Sequence, residues 1–114
     1  MKKLSDYNLN TVNRTYVIAE IGINHGGSLS RAFELVDSAS KTGCDAVKFQ
    51  SYISEKRTSK KEFPDLYDIL KKCELKLEDF NELKKLCDEK NIDFISTCFD
   101  EESIDYLNEI NMKI

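Results

Sequence analysis

The sequence predicts an α/β protein built on a parallel sheet, and two observations carry that prediction. Short apolar runs alternate with stretches whose apolar residues recur at helical spacing, and the strongly polar residues of each short run fall on one side of it, near its carboxyl end. Such alternation folds as right-handed βαβ units, which bring parallel strands into one sheet. The 114 residues, 40% hydrophobic and 33% charged, suit one globular unit and exclude a disordered or collagen-like chain. A net charge of -4 and a pI near 5.1 argue against a nucleic-acid binder, which needs a basic face to neutralise phosphates. No apolar run approaches the roughly 18 residues of a membrane span, and MKKLSDYNLN at the N-terminus lacks the apolar core of a signal peptide. No membrane association is expected, and a cytoplasmic location is.

The elements follow in order. Tyr16 to Ile21 is the first strand, and the turn Asn24, His25, Gly26, Gly27 follows it, with glycines that permit positive φ and close backbone approach. Ser28 is placed as N-cap of a helix over 29–42, where Leu29, Ala32, Phe33, Val36 and Ala39 share a face and Gly43 closes it. Asp45 to Ser51 is the second strand. A polar connection, EKRTSKKE, leads on to an amphipathic stretch from Asp79 to Lys90 with Phe80, Leu83, Leu86 and Cys87 on one face. Ile92 to Phe99 is the third strand. Asp100 caps a helix whose face is Ile104, Leu107 and Ile110, Asn111 ends it, and Met112, Lys113 and Ile114 begin a fourth strand. Cys44, Cys73, Cys87 and Cys98 form no C-x-x-C pair, so neither a disulfide frame nor a zinc site is indicated.

Side-chain parity sharpens the architecture. Glu20 shares a strand face with Ile18, Lys48 and Gln50 share one with Ala46, and Thr97 shares one with Ile95. The other faces, with Val17, Ala19 and Ile21, then Val47 and Phe49, then Phe94, Ser96 and Cys98, are those a helix layer would cover. Ligands of both open α/β sheets and (β/α)8 barrels bind at the carboxyl ends of the strands. A barrel takes about 250 residues, and this chain supplies three strand–helix units and the start of a fourth strand. It is therefore either part of a larger fold or a small open sheet, and the first is favoured, because an open sheet would leave an apolar face and a strand edge uncovered.

The residues also carry a resemblance. VIAEIGINHGGS, GCDAVKFQSY and the segment ending IDFISTCFDEESIDYLNEINMKI resemble the N-terminal part of the sialic acid synthase family, whose members show I-A-E-x-G-x-N-H-N-G, G-A-D-A-V-K-F-Q, S-T-P-F-D and K-I-x-S-G-E in that order. The chain departs from the pattern at Gly26, Cys44 and Cys98, and it stops before S-G-E. The resemblance runs from Tyr16 to Ile114 and implies residues 1–114 of a synthase barrel, without the C-terminal half-barrel or the antifreeze-like domain. It implies condensation of phosphoenolpyruvate with an N-acyl hexosamine, N-acetylmannosamine or a diacetamido hexose, to a nonulosonic acid. A divalent metal, Mn or Mg, held by residues outside this chain, and a homodimeric full-length enzyme belong to the same implication.

A carboxylate inside an apolar strand is costly unless it is paired, neutralised or at the wet end. Glu20 is such a carboxylate. By resemblance it is the catalytic or substrate-orienting acid, and a cross-strand pair with Lys48 is its structural alternative. Lys48 and Lys113 resemble the cations that hold the phosphate and carboxylate of phosphoenolpyruvate. Gln50 resembles a sugar-contacting residue, with a hydrogen bond from its side-chain amide to a loop as its alternative, and Thr97 a phosphate-binding hydroxyl that would also suit an ordinary strand. His25, the one histidine, reads as a structural residue, and a multi-histidine metal site is not expected in this chain. The basic loop of Lys56, Arg57, Lys60 and Lys61 could attract an anionic substrate, but Glu55 and Glu62 flank it and it reads as a solvated connection. A Schiff-base aldolase barrel and a non-catalytic chain that binds a partner are the rival functions.

Overall fold

The computed structural model describes residues 15–112. Three parallel strands, β1 (Ile18–Gly22), β2 (Ala46–Ser51) and β3 (Asp93–Cys98), form a sheet in the order β1-β2-β3. Between and after them run α1 (Leu29–Ser40), α2 (Ser54–Arg57), α3 (Pro64–Cys73), α4 (Leu77–Lys90) and α5 (Glu101–Glu109). Lys113, and with it the expected fourth strand, lies outside the described residues.

Local chemistry explains the boundaries. The Ser28 side chain accepts from the Arg31 N–H at 3.2 Å and starts α1, and Gly43 takes a φ of 82° after it. Asn91, at φ 56°, ends α4. The α4 helix begins at Leu77, two residues before the expected start, because the Asp79 carboxylate accepts from the Lys76 N–H and closes the first turn there. The polar connection after the second strand is not all loop. It contains α2, and α3 follows it with Pro64 at the first helical position, where a missing N–H costs nothing.

One face of the sheet is the core. Val47, Phe49 and Phe94 pack with Ala32 and Val36 of α1, Phe80, Leu83 and Cys87 of α4, and Leu107 of α5. Phe49 stacks on Phe94 at 5.8 Å and meets Phe80 edge-on at 6.4 Å. These are the strand positions that parity assigns to the helix side. The expected face of the last helix is corrected at one position: Ile104 is 46% exposed, and Ser103 and Leu107 are the residues that α5 buries. All four cysteines are free thiols, with Cys44 and Cys87 buried. Burial pushes the Cys87 thiol up to about 12.

Asp100 ties the third strand to the connection after the second. One carboxylate oxygen accepts from the Ser103 N–H at 2.8 Å and caps α5; the other accepts from the Ile53 N–H at 2.8 Å and the Ser103 hydroxyl at 3.0 Å. Asp100→Ala removes a cap and strands the Ile53 N–H, so a loss of about 2–4 kcal/mol is expected in a urea melt. A loss under about 0.5 kcal/mol would mean that solvent replaces these bonds.

Candidate active site

The register brings the polar strand residues together. Glu20 lies opposite Lys48 across β1 and β2, and Gln50 lies opposite Thr97 across β2 and β3. The pairing of β1 shifts register between Glu20 and Gly22 and resumes at Gly22 opposite Phe49, so the irregularity lies beside these side chains. Gly22 is needed there. Its φ is 58°, and a Cβ on it would lie 3.3 Å from Glu20 Oε1 and 3.7 Å from Gln50 Nε2.

Lys48 is the hub of this face. Its Nζ stands 2.7 Å from Glu20 Oε2 and donates to Thr97 Oγ1 at 3.2 Å. The pair is not buried, for the Lys48 side chain is 30% exposed and that of Glu20 50%. An ion pair this open to solvent contributes about 0–1 kcal/mol to stability. Packing does not require these charges, and they face the side of the sheet that carries no helices. Ile18, on the same face as Glu20, is likewise exposed.

The remaining candidates divide. Gln50 Oε1 accepts from Arg57 Nη1 at 3.1 Å, so the loop contact foreseen as its structural alternative is formed. His25 is buried and packs against Phe49, whose side chain belongs to the opposite, helix-covered face. Its Nδ1 accepts from the Gly27 N–H at 3.1 Å, which leaves the proton of a neutral ring on Nε2, and Nε2 has no partner among the described residues. Burial holds its pKa below the usual 6.5, with the Gly22 backbone opposing the shift. Gly27 fixes this turn against the end of α3, since a Cβ there would sit 2.3 Å from the Lys72 carbonyl oxygen and its φ is 81°.

Arg57, which the sequence groups with the other cations of its loop, is set apart from them by the structure. Lys56 pairs with Glu102, and Lys60 lies 5.2 Å over the Tyr67 ring, as surface cations do. Arg57 instead turns back from the end of α2 to Gln50, over the rings of Phe99 and Tyr52. No spacing in the sequence marks this, because its partners come from two segments, Gln50 and Tyr52 around the end of β2 and Phe99 after β3.

A divalent metal does not fit the described residues. Among them no three His, Cys, Asp or Glu side chains converge, and the single histidine has one ring nitrogen occupied and the other enclosed.

The sequence matches the NeuB family over residues 35–114. An uncharacterised protein of Methanocaldococcus jannaschii is 42% identical over 110 residues, covering 96% of this chain and 32% of its own length. The N,N'-diacetyllegionaminic acid synthase of Legionella pneumophila is 41% identical, covering 86% and 31%. Among solved structures, the N-acetylneuraminic acid synthetase of Leptospira borgpetersenii, crystallised with citrate, superposes with a TM-score of 0.83 at 37% identity, covering 89% of this chain and 35% of that one. The chain thus spans about a third of the length of these relatives.

Proposed function

Because this chain belongs to the NeuB family, we propose that residues 1–114 are the N-terminal part of a (β/α)8 barrel that condenses phosphoenolpyruvate with an N-acyl hexosamine. The observation that carries this reading is the array of Glu20, Lys48 and Thr97, with Gln50 beside it, at the carboxyl ends of three parallel strands.

Each side chain has a task in the reaction. Lys48 and Thr97 hold the phosphate or carboxylate of phosphoenolpyruvate, and Lys113 adds a second cation. The C3 carbon of phosphoenolpyruvate attacks the aldehyde carbon of the open-chain sugar, whose oxygen takes up a proton from solvent to become a hydroxyl, and positive charge develops at C2. Water adds at C2, Glu20 takes its proton, and the tetrahedral intermediate expels phosphate by C–O cleavage. Gln50 contacts the sugar. The acceptor is N-acetylmannosamine or a diacetamido hexose, the latter in keeping with the likeness to a diacetyllegionaminic acid synthase.

The rival with a covalent lysine makes a different demand on Lys48. A Schiff base needs a free amine, whereas Nζ here is engaged by both Glu20 and Thr97. Borohydride reduction in the presence of pyruvate, followed by peptide mass analysis, is expected to leave Lys48 unmodified. A reduced pyruvyl adduct on Lys48 would replace the synthase reading with the aldolase one.

A further inference from the structure

We propose that Arg57 is a ligand-binding residue of this face, which receives the phosphate or carboxylate of an anionic ligand on the N–H groups that Gln50 leaves free. The inference rests on the reading of the Glu20–Lys48 face as the phosphoenolpyruvate site.

The placement of Arg57 is fixed from several directions. The turn into α2 is held by the Ile53 N–H on Asp100 and by the Ser54 N–H and hydroxyl on Glu74 Oε2, at 2.7 and 2.5 Å. The guanidinium carbon at the far end of α2 then lies 3.7 Å from the centroid of Phe99 and 4.7 Å from that of Tyr52. Those two rings meet edge to face, and the Tyr52 hydroxyl is anchored on the Leu70 carbonyl at 2.8 Å. A planar cation stacked in this way has few orientations left, and its donors form a rigid fork.

What this fork lacks is an anion. It spends one donor on Gln50 Oε1 at 3.1 Å, and no carboxylate of the described residues lies within ion-pairing distance of it. The neighbouring Lys56, by contrast, has Glu102. On the site face the charge of Lys48 is matched by Glu20, so Arg57 is the unmatched positive charge among these residues. The contact also sets the amide of Gln50. With Oε1 taken by Arg57, its NH2 group is what remains to meet a ligand, and Nε2 is the atom that would lie 3.7 Å from a Cβ on Gly22. The guanidinium only donates, which suits a ligand group that only accepts, as a phosphate or carboxylate does, and the NH2 of Gln50 is left for the sugar beside it.

Calorimetric titration of the 114-residue protein distinguishes this from a structural staple. The ligands are phosphoenolpyruvate, inorganic phosphate and the neutral N-acetylmannosamine, and the variants are Arg57→Gln, Arg57→Lys and Lys48→Met. Arg57→Gln is expected to weaken phosphoenolpyruvate and phosphate binding tenfold or more and, because Gln50 loses only its orienting partner, to weaken the binding of N-acetylmannosamine threefold at most. Arg57→Lys retains the charge and the stem but not the fork, and is expected to weaken phosphoenolpyruvate threefold or more; it carries the test if the Gln variant does not fold. Phosphoenolpyruvate affinity within twofold of the parent in the folded Arg57 variants, with a loss in Lys48→Met, would overturn the inference and leave the site reading standing. No phosphoenolpyruvate binding by the parent, or binding unaffected by Lys48→Met as well, would overturn both.

Discussion

Lys48→Met is expected to weaken phosphoenolpyruvate binding about a hundredfold, which corresponds to about 2.7 kcal/mol. Methionine keeps much of the length and apolar stem of lysine, so the strand should keep its packing while the face loses the cation at its centre. The substitution acts twice. It removes a charge-assisted donor to the ligand, and it leaves the Glu20 carboxylate unpaired at the place where an anion must sit. The opposite change separates the two effects: Glu20→Gln retains Lys48 and removes the repelling charge, so phosphoenolpyruvate binding should hold or tighten severalfold. Because the ion pair is open to solvent, neither substitution should cost more than about 1 kcal/mol of stability. Equal binding by the parent and Lys48→Met, measured by calorimetry on folded protein, would remove Lys48 from the site.

The 114-residue chain assayed by itself is expected to give no turnover. Condensation through an oxocarbenium-like C2 needs both substrates held in near-attack geometry and bulk water kept away. Here three strands present the acid and the lysine with the Glu20 side chain half exposed, and the chain spans about a third of its relatives. The assay is phosphate release from phosphoenolpyruvate with N-acetylmannosamine and manganese. Turnover that Glu20→Ala abolishes would show that the essential chemistry resides wholly within these residues.

Much of the fold was legible because its physics is local. The apolar runs of the strands, the Ser28 and Asp100 caps and the residues that end the helices each act over a few positions. Strand parity then separated Val47, Phe49 and Phe94, which meet the helices, from Glu20, Lys48, Gln50 and Thr97, which do not. The α3 helix was passed over although Leu66, Ile69, Leu70 and Cys73 stand at helical spacing; it is short, follows a charged segment, and buries only Tyr67 and Leu70 while Leu66 and Ile69 of that stripe stay exposed. Ile104 misled because an apolar residue at helical spacing lies outside the contact, and Ser103 takes the buried place. Arg57 was illegible because its position depends on tertiary structure, on Phe99 from beyond β3 and on Gln50 and Tyr52 around the end of β2. In a charged segment nothing distinguishes one folded-back arginine from its solvated neighbours.

On the proposed function, Glu20, Lys48, Gln50 and Thr97 form one ligand-binding face. Amide and side-chain NMR of the protein titrated with phosphoenolpyruvate tests it most directly. The backbone amides of Lys48 and Thr97 and the side-chain amide of Gln50 are expected to shift together along one saturating curve, while the helix-side groove between Phe33 and Leu86 stays silent. Shifts confined to that groove, or a silent Lys48 and Gln50 at saturation, would contradict it.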